Sequence, residues 1–378
     1  MAYKIAFVLE QALGHVTHSR NLQQIVSRPE ELSPVWLSIP YEVSGVAAKI
    51  PVYKSNWTVR SGLRARDLLR KTLQNGPVDG LFFHTQVPAV FCVDWIRKLP
   101  SVVSLDATPL QYDQLGDFYH HKPGPDWLEK VKFDRNNAVF LAAKCLVTWT
   151  EWAKNSLVKD YGISSDKIVV IPPGVNPKIW SKPADFRKDS RKSVRILFVG
   201  GDLVRKGGDL LITAFRSLAS DHPDLNLELH LVTKTMVQPG DGIFVYSDLG
   251  SNDPRLIDLY HRCDIFALPT SGDCLPMVLS EAGAAGLPVI STTVAAIPEV
   301  IREGESGLLV APGDTRALYG ALEKLVSDPK LRTRMGIIGV ETINRKFDAV
   351  KNTGRLMDLL VETLRSSENS DSKGKTYG

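Results

Sequence analysis

Short apolar runs rich in β-branched residues alternate, twelve times along the chain, with longer stretches of helical periodicity. Strands that recur only after a helix-length crossover pair in parallel, so the alternation predicts parallel sheets layered with helices. In the first half the strand runs are Lys4 to Leu9, Val35 to Ile39, Gly80 to His84, Ser101 to Leu105, Cys145 to Trp149 and Ile168 to Ile171. In the second they are Arg195 to Val199, Glu228 to Val232, Ile243 to Tyr246, Ile265 to Leu268, Leu287 to Thr292 and Gly307 to Val310. A chain of 378 residues exceeds what one hydrophobic core serves. Pro172-Pro173-Gly174 through Ser193, rich in Pro, Lys and Asp, is the natural linker. The reading is therefore α/β, with two Rossmann-like, doubly wound domains at residues 1–175 and 176–345. A last helical pattern follows at 346–365, and the tail 366–378, without a core-forming residue until Tyr377, is expected to be disordered. Ligands of such sheets gather at the carboxyl ends of the strands, so the two domains are expected to face each other across a cleft.

Composition removes several function classes. No apolar run reaches membrane-span length, and a net charge of +4 without interleaved aromatic and basic residues gives no case for nucleic acid. The start, MAYKIAFVLEQALGH, has one Lys and puts Glu10 after a short apolar run, so it reads as a first strand and not a secretory leader. Cys92, Cys145, Cys263 and Cys274 lie far apart without ligand spacing, as expected of buried thiols in a cytoplasmic protein. Asn56-Trp57-Thr58 fits a glycosylation sequon only formally.

Two segments carry chemistry. Asp273 to Thr292 reads DCLPMVLSEAGAAGLPVIST: a loop, a helix opened by Pro276 and closed by Gly286, then an apolar strand. The free N–H groups at the helix start, around Leu275 to Val278, would meet an anion such as a nucleotide diphosphate, so Cys274, Leu275, Pro276, Met277 and Val278 are the donor-binding stretch, Pro276 itself offering no N–H. Glu281 could accept two ribose hydroxyls, and Asp273 could reach a sugar hydroxyl. An ordinary helix with a solvated glutamate is the plain alternative. Arg195 to Phe215, RILFVGGDLVRKGGDLLITAF, is a strand, a turn at Gly200 and Gly201, the cations Arg205 and Lys206, and a helix. Arg205 offers a planar fork and Lys206 a point charge, which together suit a departing diphosphate. The segment fits neither the GxGxxG nor the P-loop pattern.

These two blocks, followed by AAIPEVIREGESGLLVAPGD, resemble the donor half of retaining GT-B glycosyltransferases of family 4 (glycosyl transferases group 1). More faintly, the Gly14-His15 loop and KCLVTWTEWAKNSLVKDYGISSDKIVVIPPGVNPKIW extend the resemblance into the first half. It implies a GT-B fold, an acceptor-side first domain, a donor domain, and a last helix that packs back on the first domain. It also implies that Arg205 and Lys206 bind the donor diphosphate, Glu281 the ribose, and Asp273 the hydroxyls of the transferred sugar. The Gly14-His15 loop would sit against the donor phosphates and the acceptor. Two positions depart from the family pattern: Gly201 stands where many members have an arginine, and Asp106 where many have a histidine near the transferred sugar. Asp106 and His84, both at strand ends, are catalytic candidates, with Lys206 and Asp273; a turn-capping role is the alternative for Asp106.

The sequence contains no Asp-x-Asp, so no metal and no cofactor beyond the nucleotide-sugar is expected. Charge on the leaving diphosphate would be met by Arg205, Lys206 and helix amides. The family implies retention through same-face displacement, a UDP-sugar favoured over GDP-mannose, and a lipid, saccharide or small-molecule acceptor. Residues 54–71, KSNWTVRSGLRARDLLRK, place Arg60, Arg64 and Lys71 at helical spacing beside Trp57, a face that could rest on the anionic inner surface of a membrane and deliver a lipid acceptor, contact an anionic acceptor, or remain solvated. A nucleotide-sugar epimerase and a non-catalytic sugar-binding protein are the rival functions.

Overall fold

The structure, a computed structural model, describes residues 2–12, 14–26, 30–43, 51–116, 124–183, 193–240 and 242–374. The chain forms two compact units, one of residues 1–114, 122–173 and 350–378, the other of residues 115–121 and 174–349.

The first unit is built on β1 (Tyr3–Gln11), β2 (Leu32–Pro40), β3 (Gly80–Phe83), β4 (Ser101–Leu105), β5 (Cys145–Thr148) and β6 (Ile168–Val170), all parallel, in the order β2-β1-β3-β4-β5-β6. Every residue of β3, β4 and β5 is buried, the mark of strands covered on both faces. One face packs Ala6, Val8, Phe83 and Val103 against Leu69 and Phe140. The other packs Ile5, Phe7, Phe82 and Val147 against Leu356, Met357, Leu360, Val361 and Leu364 of the helix Ala349–Gly374. That helix continues through residues 366–374, where composition predicts disorder. Past Leu364 no Pro or Gly interrupts it before Gly374, and each added residue completes a helical hydrogen bond without a new nucleus. Residues 375–378 lie outside the described residues.

The second unit holds β7 (Val194–Val199), β8 (Leu227–Val232), β9 (Ile243–Tyr246), β10 (Ile265–Ala267), β11 (Val289–Thr292) and β12 (Gly307–Val310), again parallel, in the order β12-β11-β10-β7-β8-β9. In each sheet the strand order reverses at one place, between β1 and β3 and between β7 and β10. The loops leaving those strands diverge to opposite faces there and open a crevice at the carboxyl ends.

The chain leaves the first unit after Pro173. Val175 accepts from Ala349 N and donates to Phe347 O, both at 3.0 Å, and a Cβ on Gly174 would stand 1.8 Å from Phe347 O. Asn176 caps the helix Pro177–Trp180, whose Trp180 is buried beside Tyr260. Residues 184–192 of the linker lie outside the described residues.

Candidate functional site

In the second unit β7 ends at Val199 and is followed by Gly200, where a Cβ would press on Phe198 and Lys206, while Gly201 is exposed with open space where a Cβ would stand. The chain then turns through Arg205 and Lys206 to Gly207, whose φ of 74° and a Cβ position 2.0 Å from Pro269 O admit only glycine. Gly207 caps the helix Gly208–Asp221. This turn is stitched to the loop leaving β10: Ser271 N donates to Arg205 O at 3.0 Å, and the Arg205 guanidinium donates to Gly272 O at 2.6 Å.

Asp273 stands in that second loop, buried. Lys206 Nζ lies 2.7 Å from its carboxylate, Arg205 3.2 Å, and the Thr270 hydroxyl donates to it at 2.8 Å. The structure therefore brings Asp273 together with both cations, a contact that the sequence reading did not foresee. The helix runs Met277–Ala284, so Pro276 is its cap and not its first residue: a ψ of 116° is extended, and the helix opens one position later than expected. Cys274, Leu275, Pro276 and Met277 are buried and Val278 half-buried. The helix stops where Gly286 takes a φ of 74°.

Glu281 is 4% exposed and accepts one hydrogen bond, 2.9 Å from the Tyr260 hydroxyl. Among the described residues Tyr260 is its hydrogen-bond partner, which leaves carboxylate capacity unused. Burial pushes its carboxyl up to about 7, with the Tyr260 bond opposing.

The carboxyl ends of β1, β3, β4 and β5 gather a second cluster in the first unit. His15 lies 3.2 Å from Glu10 through Nδ1 and 3.2 Å from Asp106 through Nε2. Burial disfavours its charge, but the Asp106 and Glu10 carboxylates outweigh that and raise it to about 10. Both ring nitrogens are then donors. Asp106 is shifted the other way: burial raises its carboxyl, and the His15 charge and hydrogen bond bring it below its ordinary value. Asp106 also accepts from Ala107 N at 2.9 Å, the local backbone bond that the turn-capping alternative expects. Glu10 further takes the Thr85 hydroxyl and, at 2.5 Å, the Trp57 indole N–H. His84 Nε2 and His18 Nδ1 are 2.8 Å apart, and both rings lie against Trp149. Burial, then the charge of His15, lowers His18 to about 3, and burial with its two histidine neighbours keeps His84 neutral. Gly14 caps the helix His15–Ile25 with an ordinary φ of −65°.

Glu10, His18, Thr85 and Trp149 were not singled out by the sequence. Their signal was position alone, at or just past the ends of β1, β3 and β5 or in the helix that follows β1.

The basic face expected from residues 54–71 does not form as such. Arg60 is buried, donating to Tyr53 O and Lys54 O at 2.9 and 2.7 Å and lying over Tyr41 and Trp57. Arg64 is turned to Tyr53 Oη and to Pro40 O and Glu42 O. The segment before the helix Trp57–Gln74 leaves carbonyls that need donors, and these guanidiniums supply them. Lys71 stays exposed, paired with Asp67 at 2.6 Å. Asn56 caps this helix through Val59 N. Among the described residues no helix is long and apolar enough to cross a membrane, and no group of three His, Cys, Asp or Glu could hold a metal ion.

Two reversal-point sites, one on each of two parallel sheets, define a GT-B type molecule, and the comparisons agree. Residues 26–179 match the family model described as Glycosyltransferase Family 4, and residues 193–328 match the model described as Glycosyl transferases group 1. The chain belongs to this glycosyltransferase family. It is 31% identical over 221 residues to a D-inositol 3-phosphate glycosyltransferase of Acidothermus cellulolyticus, covering 52% of this chain and 48% of that protein. A protein of the same name from Corynebacterium glutamicum is 30% identical over 256 residues, covering 62% and 60%. The matches thus span about half of those relatives' length. Sucrose-phosphate synthase from Thermosynechococcus elongatus superposes with a TM-score of 0.74 at 15% identity, over 96% of this chain and 100% of that one. HepE from Anabaena in complex with UDP gives 0.70 at 14%, over 95% and 100%. These likenesses establish the fold.

Proposed function

We propose that this chain is a retaining glycosyltransferase that moves a hexose from a nucleoside-diphosphate sugar, a UDP-sugar before GDP-mannose, to an acceptor hydroxyl, without a metal or other cofactor. The observation that carries this reading is the grouping of Arg205, Lys206 and Asp273 at the ends of β7 and β10, with Glu281 on the next helix. A diphosphate would take the cations that Asp273 now holds. Glu281 would take the ribose, and Asp273, relieved of its partners, the hydroxyls of the sugar. The solved complexes of HepE with UDP and with UDP-glucose support uridine as the base.

In this mechanism Arg205 and Lys206 stabilise charge that grows on the leaving phosphate, and interactions that strengthen towards the transition state speed the chemistry. The chain contains no Asp-x-Asp, so turnover is expected to persist in excess EDTA. The Glu10, His15, Asp106 cluster with His84 serves the acceptor. Four buried cysteines that form no disulfide support a reducing, cytoplasmic setting. A contact of residues 54–71 with an anionic membrane would rest on Arg70 and Lys71, which are exposed and share Asp67, because Arg60 and Arg64 are turned to backbone carbonyls.

The deciding experiment incubates the protein with UDP-glucose, other UDP-sugars and GDP-mannose, with and without candidate acceptors, and follows nucleotide release and product. Release of UDP with a glycosylated product of unchanged anomeric configuration is the expected result. Isomerised sugar without free nucleotide would identify an epimerase, and tight sugar binding without either product a binding protein.

A further inference from the structure

We propose that Asp273 sets which nucleotides the donor site retains: it competes with the diphosphate for Arg205 and Lys206, so that a nucleotide-sugar, whose sugar hydroxyls take over the carboxylate, binds in preference to the bare nucleotide left after transfer. The inference rests on the donor-site reading above and adds a discrimination between substrate and product that the roles of the separate residues do not contain.

Three observations carry it. The first is the pairing. Lys206 Nζ is 2.7 Å from both carboxylate oxygens of Asp273, and the Arg205 guanidinium is 3.2 Å from one of them. The two cations suited to a diphosphate thus hold an anion of the chain itself, and a phosphate oxygen must displace it to reach them.

The second is burial. The side chains of Asp273, Lys206 and Arg205 are 11, 14 and 15% exposed. So little water reaches them that a partner lost on one side leaves a charge uncompensated on the other. Once phosphate draws the cations away, Asp273 keeps the Thr270 hydroxyl, 2.8 Å distant, and stands beside a diphosphate as like charge against like charge. Hydroxyl donors on the transferred sugar relieve that carboxylate. Bare UDP brings none to it, its ribose being assigned to Glu281.

The third is that the loop of Asp273 is fastened on both sides. Ser271 N donates to Arg205 O at 3.0 Å, Gly272 N to the Thr270 hydroxyl at 3.3 Å, and Ala296 N to Cys274 O at 3.2 Å. The carboxylate is therefore held next to the cations that it gives up, and the competition persists.

The test uses the intact chain and isothermal titration with UDP, UDP-glucose and inorganic pyrophosphate, which carries the diphosphate without base or sugar. Asp273→Asn keeps the shape and an acceptor oxygen for Lys206 but removes the competing charge. It is expected to bind UDP and pyrophosphate at least about tenfold more tightly than the wild type, the scale of one charge-assisted hydrogen bond, while the preference for UDP-glucose over UDP shrinks by a similar factor. Thr270→Val removes the donor that Asp273 keeps, so UDP and pyrophosphate should bind it more weakly and UDP-glucose should change less. A carboxylate with only a structural role would leave the ratio of the three affinities constant. UDP and pyrophosphate binding unchanged or weakened in Asp273→Asn would overturn the proposal, and if that variant does not fold, UDP binding unmoved in Thr270→Val would overturn it. Pyrophosphate bound equally by Lys206→Ala and the wild type would sink the donor-site reading instead.

Discussion

Glu281 is buried, its carboxyl is pushed up to about 7, and it retains capacity to accept further hydrogen bonds. Ionisation leaves both oxygens free to accept and strengthens the bonds to ribose hydroxyls, so UDP affinity should climb between pH 6 and 8 and flatten above. Glu281→Gln should remove that slope and cost about 1.5–3 kcal/mol of binding at pH 8. Isothermal titration across the range reads both; a flat wild-type profile would take Glu281 out of the site. Linkage fixes the sign for stability as well. A folded carboxyl raised above its unfolded value contributes stability that is present below the unfolded pKa of 4.5 and lost as pH rises through about 7. Lys206→Ala is expected to lower kcat together with kcat/KM, because the charge that it meets grows during transfer. A change confined to KM would make Lys206 a uniform binder. Arg205, Lys206, Asp273 and Glu281 were legible in the sequence as a spaced pattern of charge and glycine. Their unliganded arrangement was not, since Asp273 reaches Lys206 only through the fold of two loops 67 residues apart.

Each of the twelve strand runs read from the sequence contains a strand, because buried parallel strands write continuous β-branched runs between helical stretches. The boundary at Pro276 missed by one residue, where a proline suits both the cap and the first turn. The Trp57–Gln74 helix is the instructive failure. Spacing put Arg60 and Arg64 on a common face, and no periodicity could report that neighbouring carbonyls would claim them. Helix packing gives a sharper test. In Pro329–Lys346 a Cβ on Gly336 would lie 2.2 Å from Gly286 O, a backbone atom that cannot swing aside. In Thr315–Ser327 a Cβ on Gly320 meets open space. Gly336→Ala should therefore destabilise by about 1–3 kcal/mol, and Gly320→Ala should stabilise by about 0.5–1 kcal/mol. Denaturant titration of the two variants should shift the midpoint in opposite directions; equal shifts would mean that the close approach at Gly286 is relaxed.

At the scale of the whole molecule, alternation of strand and helix announced two parallel sheets, and the strand orders then decided where the site residues had to lie. What composition could not show is that the last stretch of sequence completes the first unit. Leu356, Met357, Leu360, Val361 and Leu364 are each no more than 4% exposed and pack with Ile5, Phe7 and Phe82, so residues from both ends of the chain close one core. A chain cut after Ala349 should expose that face of the β1–β6 sheet, while the sheet of the second unit keeps all of its strands. Leu360→Ala alone should cost about 2–5 kcal/mol, the range for emptying a buried leucine site. Calorimetry on the truncated chain should show the transition of the first unit lost or moved far down. UDP should still raise the melting temperature of the second, since Arg205, Lys206 and Glu281 all lie within residues 174–349. Truncation that removed nucleotide stabilisation along with the first transition would show that the donor site needs the first unit to stand.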